Sequence, residues 1–391
     1  MKKSLIAVAV AGVFAAPVAM ADVTISGAIN LGIELVKSSG GSAGGSSLSR
    51  NQLNANYSNI NISSTDDIGN GNKVIFNYQL VVDPSTFANP VNRNSYLGIA
   101  GGWGAFKMGS NENVYERHMY QADPLDGALG PGGNLMILGT PGAGVAFEVD
   151  QTKATPSAGQ VGFYRRSGQT IWYESPNWSG FTFEVDYTLS AAKGVAANNA
   201  NDTDPKLISI GAKYAPEGMP FYVDVAYEKH DDMFGVNKIA GQTVGTGSSD
   251  TGMQIGGGFM LGDLGLHLRY ERLSYELDGA TIAGDVTQVE RDAIWFGVKY
   301  NLPSGYVGAE LGIAKEYDCE VVGGGCNAPD TGAKMFGVGY FHNLSKQSQL
   351  QFIYARTDND NNATYTQAAA PLGGTAGSDH QVFHVGIKHT F

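Results

Sequence analysis

After residue 21 the chain has no apolar run of the roughly 20 residues that a membrane-spanning helix needs. Any entry into a bilayer would therefore use strands. Charge is scarce as well: Asp, Glu, Lys and Arg together make up 16% of the 391 residues, too few for a disordered polyelectrolyte. Only 25 Lys and Arg stand against 37 Asp and Glu, with no basic run, which argues against a broad nucleic-acid footprint. There are just 2 cysteines, enough for one staple. No glycine-rich segment qualifies as a nucleotide loop, because GGSAGG at Gly40–Gly45 lacks the lysine and the following helix.

The first 21 residues are set apart from the rest. Lys2 and Lys3, an apolar stretch from Ser4 to Ala16, and Ala19-Met20-Ala21 form the three regions of a secretory signal. The expected mature chain is 22–391, a single unit.

From Asp22 onward the dominant hydrophobic period is two, the mark of strands with one apolar and one polar face. Val23, Ile25, Ile29, Leu31, Ile33 and Leu35 share one side; Thr24, Ser26, Asn30 and Glu34 share the other. The pattern recurs, with Val74 to Val82 opposing Lys73 and Asn77, and Phe181 to Leu189 opposing Glu184 and Asp186. Further on, Phe221 to Tyr227 opposes Asp224 and Glu228, and Leu264 to Tyr270 opposes Arg269 and Glu271. Short connections such as Leu302–Gly305 alternate with long polar ones such as His230–Asp250. That rhythm belongs to an antiparallel up-and-down meander of about 16 strands. An apolar outer face and a charged inner face invert a soluble barrel. The interior must then hold water, since burying so many dry charges would be prohibitive. The predicted fold is an all-β transmembrane barrel with a wet lumen. The acid excess among the inward residues predicts a slight preference for cations.

The last strand, His380–Phe391, places Phe383, Val385, Ile387, His389 and Phe391 on one face and closes on an aromatic residue. Such an ending resembles the signal read by the barrel-assembly machinery, with Phe391 as its key position. His380, His384 and His389 do not share one face, so common metal coordination is not expected, and no cofactor is. Cys319 and Cys326 bracket CEVVGGGC in a long loop, where an oxidising location favours a disulfide.

Several stretches carry a family likeness. SNINISSTDDIGNG at Ser58–Gly71, NRNSYLGIAGGWGAFKMGS at Asn92–Ser110, the opening DVTISGAINLGIE and IWYESPNWSGFTFEVDY resemble the trimeric general porins of Gram-negative bacteria, particularly the branch found in β-proteobacteria. The resemblance implies 16 strands, a homotrimer in the outer membrane among lipid and lipopolysaccharide, and a third loop folded inward to form a constriction. Asn111–Gln160 is the corresponding insertion, holding Asp123, Asp126, Glu148 and Asp150 as the acidic side. Arg93, Arg165 and Arg166 match the basic side; Asn59 and Asn61 stand where the family's second strand carries arginines. Because Arg93 shares its strand parity with Leu97, it reaches the lumen only through a bulge or strand end.

The function expected on these grounds is passive diffusion of ions and small hydrophilic solutes, with no catalytic step. A substrate-specific channel and an adhesin or receptor barrel are the alternatives.

Overall fold

The computed structural model describes residues 22–41, 45–126, 131–140, 142, 146–148, 162–189, 206–231, 235–238, 249–276, 283–284, 286–366 and 376–391. The signal-peptide reading of 1–21 and the acidic candidate Asp150 lie outside them.

A closed antiparallel barrel of 16 staves accounts for most of these residues. They are β1 (Asp22–Ser38), β2 (in two pieces, Leu48–Asn54 and Asn59–Gly69), β3 (Asn72–Val81), β4 (Ser95–Gly101), β5 (Gly104–Glu112), β6 (Arg166–Glu174), β7 (Phe181–Thr188) and β8 (Lys206–Tyr214). The circuit continues through β9 (Phe221–Asp231), β10 (Ser249–Leu261), β11 (Leu264–Glu276), β12 (Val286–Leu302), β13 (Gly305–Ala314), β14 (Ala333–Asn343), β15 (Ser348–Asn359) and β16 (His380–Thr390). Each stave pairs with its sequence neighbours, as a meander requires.

Closure comes from β1. Its residues Ala28–Ser38 run antiparallel to Thr390–His380, while its other edge pairs with both pieces of β2. At the seam the Gly27 amide donates to the Phe391 carbonyl at 3.0 Å and the Phe391 amide returns a bond to Gly27 at 3.1 Å. The final residue thus completes the ring. A barrel closed in this way has no free edge, and an edge is what hydrocarbon cannot solvate.

Register carries one parity around the whole wall. Ile255, Leu268 and Phe296 point outward with Val23, Ile25 and Phe383, all exposed. Across from them, Asp224, Arg269, Glu271 and Glu310 are buried inside. Outward tyrosines bound the apolar band: Tyr270 near the long-loop end, Tyr300 near the short-turn end. Cys319 and Cys326 are joined in the loop after β13, their Cα atoms 5.4 Å apart.

The parity predicts an asymmetry in tolerance. Leu268→Arg, in the outward apolar run of β11, should cost about 2–4 kcal/mol, whereas Asn61→Arg on the inner wall should cost under about 1 kcal/mol. Denaturant titration of folding into lipid vesicles measures both, and equal costs would contradict the assignment of faces.

Candidate functional site

Between β5 and β6 the chain leaves the wall and runs through the barrel interior. A seven-residue helix, α1 (Val114–Tyr120), comes first. A helix this short is not stable on its own, and the wall supplies its anchors. The Val114 amide donates to Asp186 Oδ2 at 2.7 Å, the Tyr115 amide to Ser209 Oγ at 2.9 Å, and Asn113 Nδ2 to Glu228 at 3.3 Å. Gln254 on β10 donates to the Tyr115 carbonyl at 2.7 Å.

Farther along, Glu271 is the main tether. Its carboxylate accepts from the Tyr115 hydroxyl at 2.9 Å, from the Gly139 amide at 2.9 and 2.8 Å, and from Arg291 at 2.5 Å. The same guanidinium donates to the Ile137 carbonyl at 2.5 Å. Glu310 repeats the device, accepting from the Gly133 amide at 2.5 Å and Trp295 Nε1 at 2.9 Å. Asp224 is held by Arg269 and by His118 of α1. These bonds run from residues 113–139 to inward side chains of β7, β8, β9, β10, β11, β12 and β13, so the segment covers that part of the inner wall. Asp186, Asp224, Glu228, Glu271 and Glu310 are all buried beneath it.

The residues singled out in the sequence take different places. Asp126 reaches across to β16, where Lys388 Nζ meets its carboxylate at 2.6 Å. Asp123 accepts from the Leu125 and Asn134 amides of its own segment at 2.8 and 2.7 Å. Glu148 ends a short strand (Ala146–Glu148) paired with Gly235–Lys238. Arg93 falls in the break between Val91–Asn92 and β4, a strand end, one of the two routes that its parity left open. It lies 3.5 Å from Glu112, with its guanidinium 3.8 Å from the Tyr57 ring centroid. Arg166 contacts Glu112 and sits 3.2 Å from Glu116. These two arginines are therefore paired with acids at the root of the third segment, a different arrangement from a basic row facing acids across an opening. Arg165 is buried, and burial lowers its guanidinium to about 10 against the opposing pull of Glu228 and Asp186. Burial likewise drives the Glu116 carboxyl up, opposed by Arg166. Asn59 and Asn61 point inward, joined by a 2.8 Å hydrogen bond.

Sequence reasoning missed Lys107, Arg117, Lys213 and Lys388 as lumen residues. Lys107 pairs with Glu174 at 2.7 Å, and Arg117 with Glu184 at 2.5 Å. The signal was present for the lysines, all three of which occupy the inward parity of their strands. Along β2–β5 the inward Asn61, Asn77, Tyr96 and Lys107 remain partly exposed, so this side of the interior stays wet.

Comparison with known proteins follows the same lines. A family model described as Gram-negative porin matches residues 7–362. The major outer membrane protein P.IB of Neisseria meningitidis is 27% identical over 238 residues, spanning 60% of this chain and 61% of that protein. Outer membrane porin protein 32 of Delftia acidovorans is 22% identical over 397 residues, the full length of both. Among solved structures, the anion-selective porin from Comamonas acidovorans shares the fold with a TM-score of 0.73 at 19% identity, covering 95% of this chain and all of that one.

If Glu271 tethers the inner segment, Glu271→Ala leaves Arg291 buried and unpaired at a cost of about 3–5 kcal/mol. Limited proteolysis of the folded barrel should then cut within residues 131–139 in the variant and spare the wild type. Equal resistance would remove Glu271 from this role.

Proposed function

The chain belongs to the Gram-negative porin family of the outer membrane, and on that footing we propose that it is a passive diffusion pore for ions and small hydrophilic solutes. One observation carries the reading: the third segment packs against one side of the interior and leaves polar, partly exposed residues on the other. A solute passing through would meet Asn61, Asn77, Tyr96 and Lys107 along β2–β5 and the Asp126–Lys388 bridge at β16. Residues 113–139 would set the width, with Arg93, Arg166 and Glu112 at the root of the constriction. Conduction of this kind requires positioned charge and width, with no bond made or broken, and we assign no catalytic residues.

The remaining parts fit the same scheme. Met1–Ala21 would direct export, Phe391 would present the assembly signal, and the short turns would face the periplasm. The outward apolar band would meet lipid and lipopolysaccharide, and three copies would assemble as a homotrimer.

In a planar bilayer the purified native protein should open in steps grouped in threes, with conductance rising linearly with salt. Small steps blocked saturably by one solute would favour a substrate-specific channel. Silence from correctly folded protein would favour the adhesin or receptor barrel.

A further inference from the structure

The register of β9–β13 sets one belt of outward positions side by side: Val223, Gly257, Leu268, Phe296 and Leu311. The four side chains of the belt are apolar and exposed. The glycine interrupts them and leaves a notch of about 360 Å³ between Val223 and Leu268, bordered on its short-turn side by Phe221, Phe259 and Leu266. Gly27 on β1 also takes an outward position, but there the Phe391 ring fills the space, with its Cζ 2.9 Å from where a Cβ would stand. At Gly257 the nearest neighbours of a Cβ would be the Tyr222 carbonyl at 3.0 Å and Val223 Cγ1 at 3.4 Å, both part of the wall itself. An unfilled notch forfeits dispersion contacts along its lining.

Depth and charge say what can fill it. From Gly257 to Leu261, the end of β10, the chain runs about 14 Å along the strand and about 10 Å along the bilayer normal at the tilt of such barrels. Half of the hydrocarbon core is about 15 Å, so the notch lies at the level of acyl chains in the leaflet of the short turns. The turns beneath it, residues 215–220, 262–263 and 303–304, contain Glu217 and Asp263 and no Lys or Arg. Both acids are exposed, and among the described residues neither carboxylate makes a hydrogen bond or ion pair. Lys213 and Lys299, on strands that these turns join, take the inward parity.

We propose that the notch at Gly257 seats one acyl chain of a phospholipid from the short-turn leaflet, selected for an amine-bearing head group that reaches Glu217 and Asp263. A head group whose only charge is a phosphate meets the two carboxylates unfavourably, whereas a zwitterion turns its ammonium toward them. The inference needs the barrel in a bilayer and does not depend on conduction.

The test offers the purified barrel, stripped of lipid in detergent, equal amounts of phosphatidylethanolamine and phosphatidylglycerol with identical chains, and reads retained lipid by native mass spectrometry. Wild type should retain phosphatidylethanolamine roughly two- to fivefold over phosphatidylglycerol, the range of an exposed ion pair. Gly257→Leu fills the notch and should lose most of the retained lipid of either kind, while Ala309→Leu, outward on β13, should retain as much as wild type. Glu217→Gln with Asp263→Asn leaves the strands untouched and should keep the lipid while bringing the ratio to about one. Should Gly257→Leu not fold, this turn variant decides by itself. A folded Gly257→Leu barrel with wild-type lipid retention, or a turn variant with the wild-type ratio, would overturn the proposal. Loss of trimers in Gly257→Leu with lipid retention unchanged would also overturn it and assign the notch to contact between copies.

Discussion

Hydrocarbon offers backbone amides and carbonyls nothing to bond to, so a chain crossing a bilayer as strands must satisfy every such group within its own sheet. That constraint fixes most of what is seen here. It requires a ring, and the ring is completed by a two-way bond between Gly27 and the last residue, Phe391. It requires an even period along every stave, because one face meets lipid and the other does not. The apolar run from Val23 to Leu35 and the one from Phe383 to Ile387 are therefore neighbours on the outside of a single seam. The inside is left to polar residues, and water follows.

The interior then divides in two. Under the third segment its charges are buried, and among the described residues they are hydrogen-bonded or paired: Glu271 with Arg291, Asp224 with Arg269, Glu228 with Asn113 and His230. Beside the segment it stays wet, and charges keep part of their exposure. Burial of an unpaired ion costs several kcal/mol, so the acids that look free in the sequence are the ones the fold must pair or cover. A count of inward acids therefore includes carboxylates that the third segment covers. What remains accessible includes Lys213 and Lys299, which lie against the Tyr222 and Tyr306 rings.

Much of the architecture was legible in the sequence because it follows from local alternation. The faces of β7, β9 and β11 can be read from Phe181–Leu189, Phe221–Tyr227 and Leu264–Tyr270 alone, whereas the parity of Arg93 left two routes into the lumen open, a bulge or a strand end. The partnerships of charged residues were not legible. Asp126 and Lys388 lie 262 positions apart, and Glu112 finds Arg166 only once β5 and β6 are side by side. Asp123 looked like a lumen acid, yet its carboxylate closes a turn of its own segment, a contact set by loop conformation. Lys213 and Lys299 each sit one hairpin away from the ring that holds them. They are recoverable in principle from parity and hairpin register, though from neither without the other.

Adjacent cysteines on β2 test the central claim most directly. Asn61→Cys should react with a charged, membrane-impermeant thiol reagent and lose current, because its side chain faces water inside the barrel. Ile62→Cys, one residue on, should stay unmodified in lipid. Modification of position 62 with position 61 protected would contradict the account.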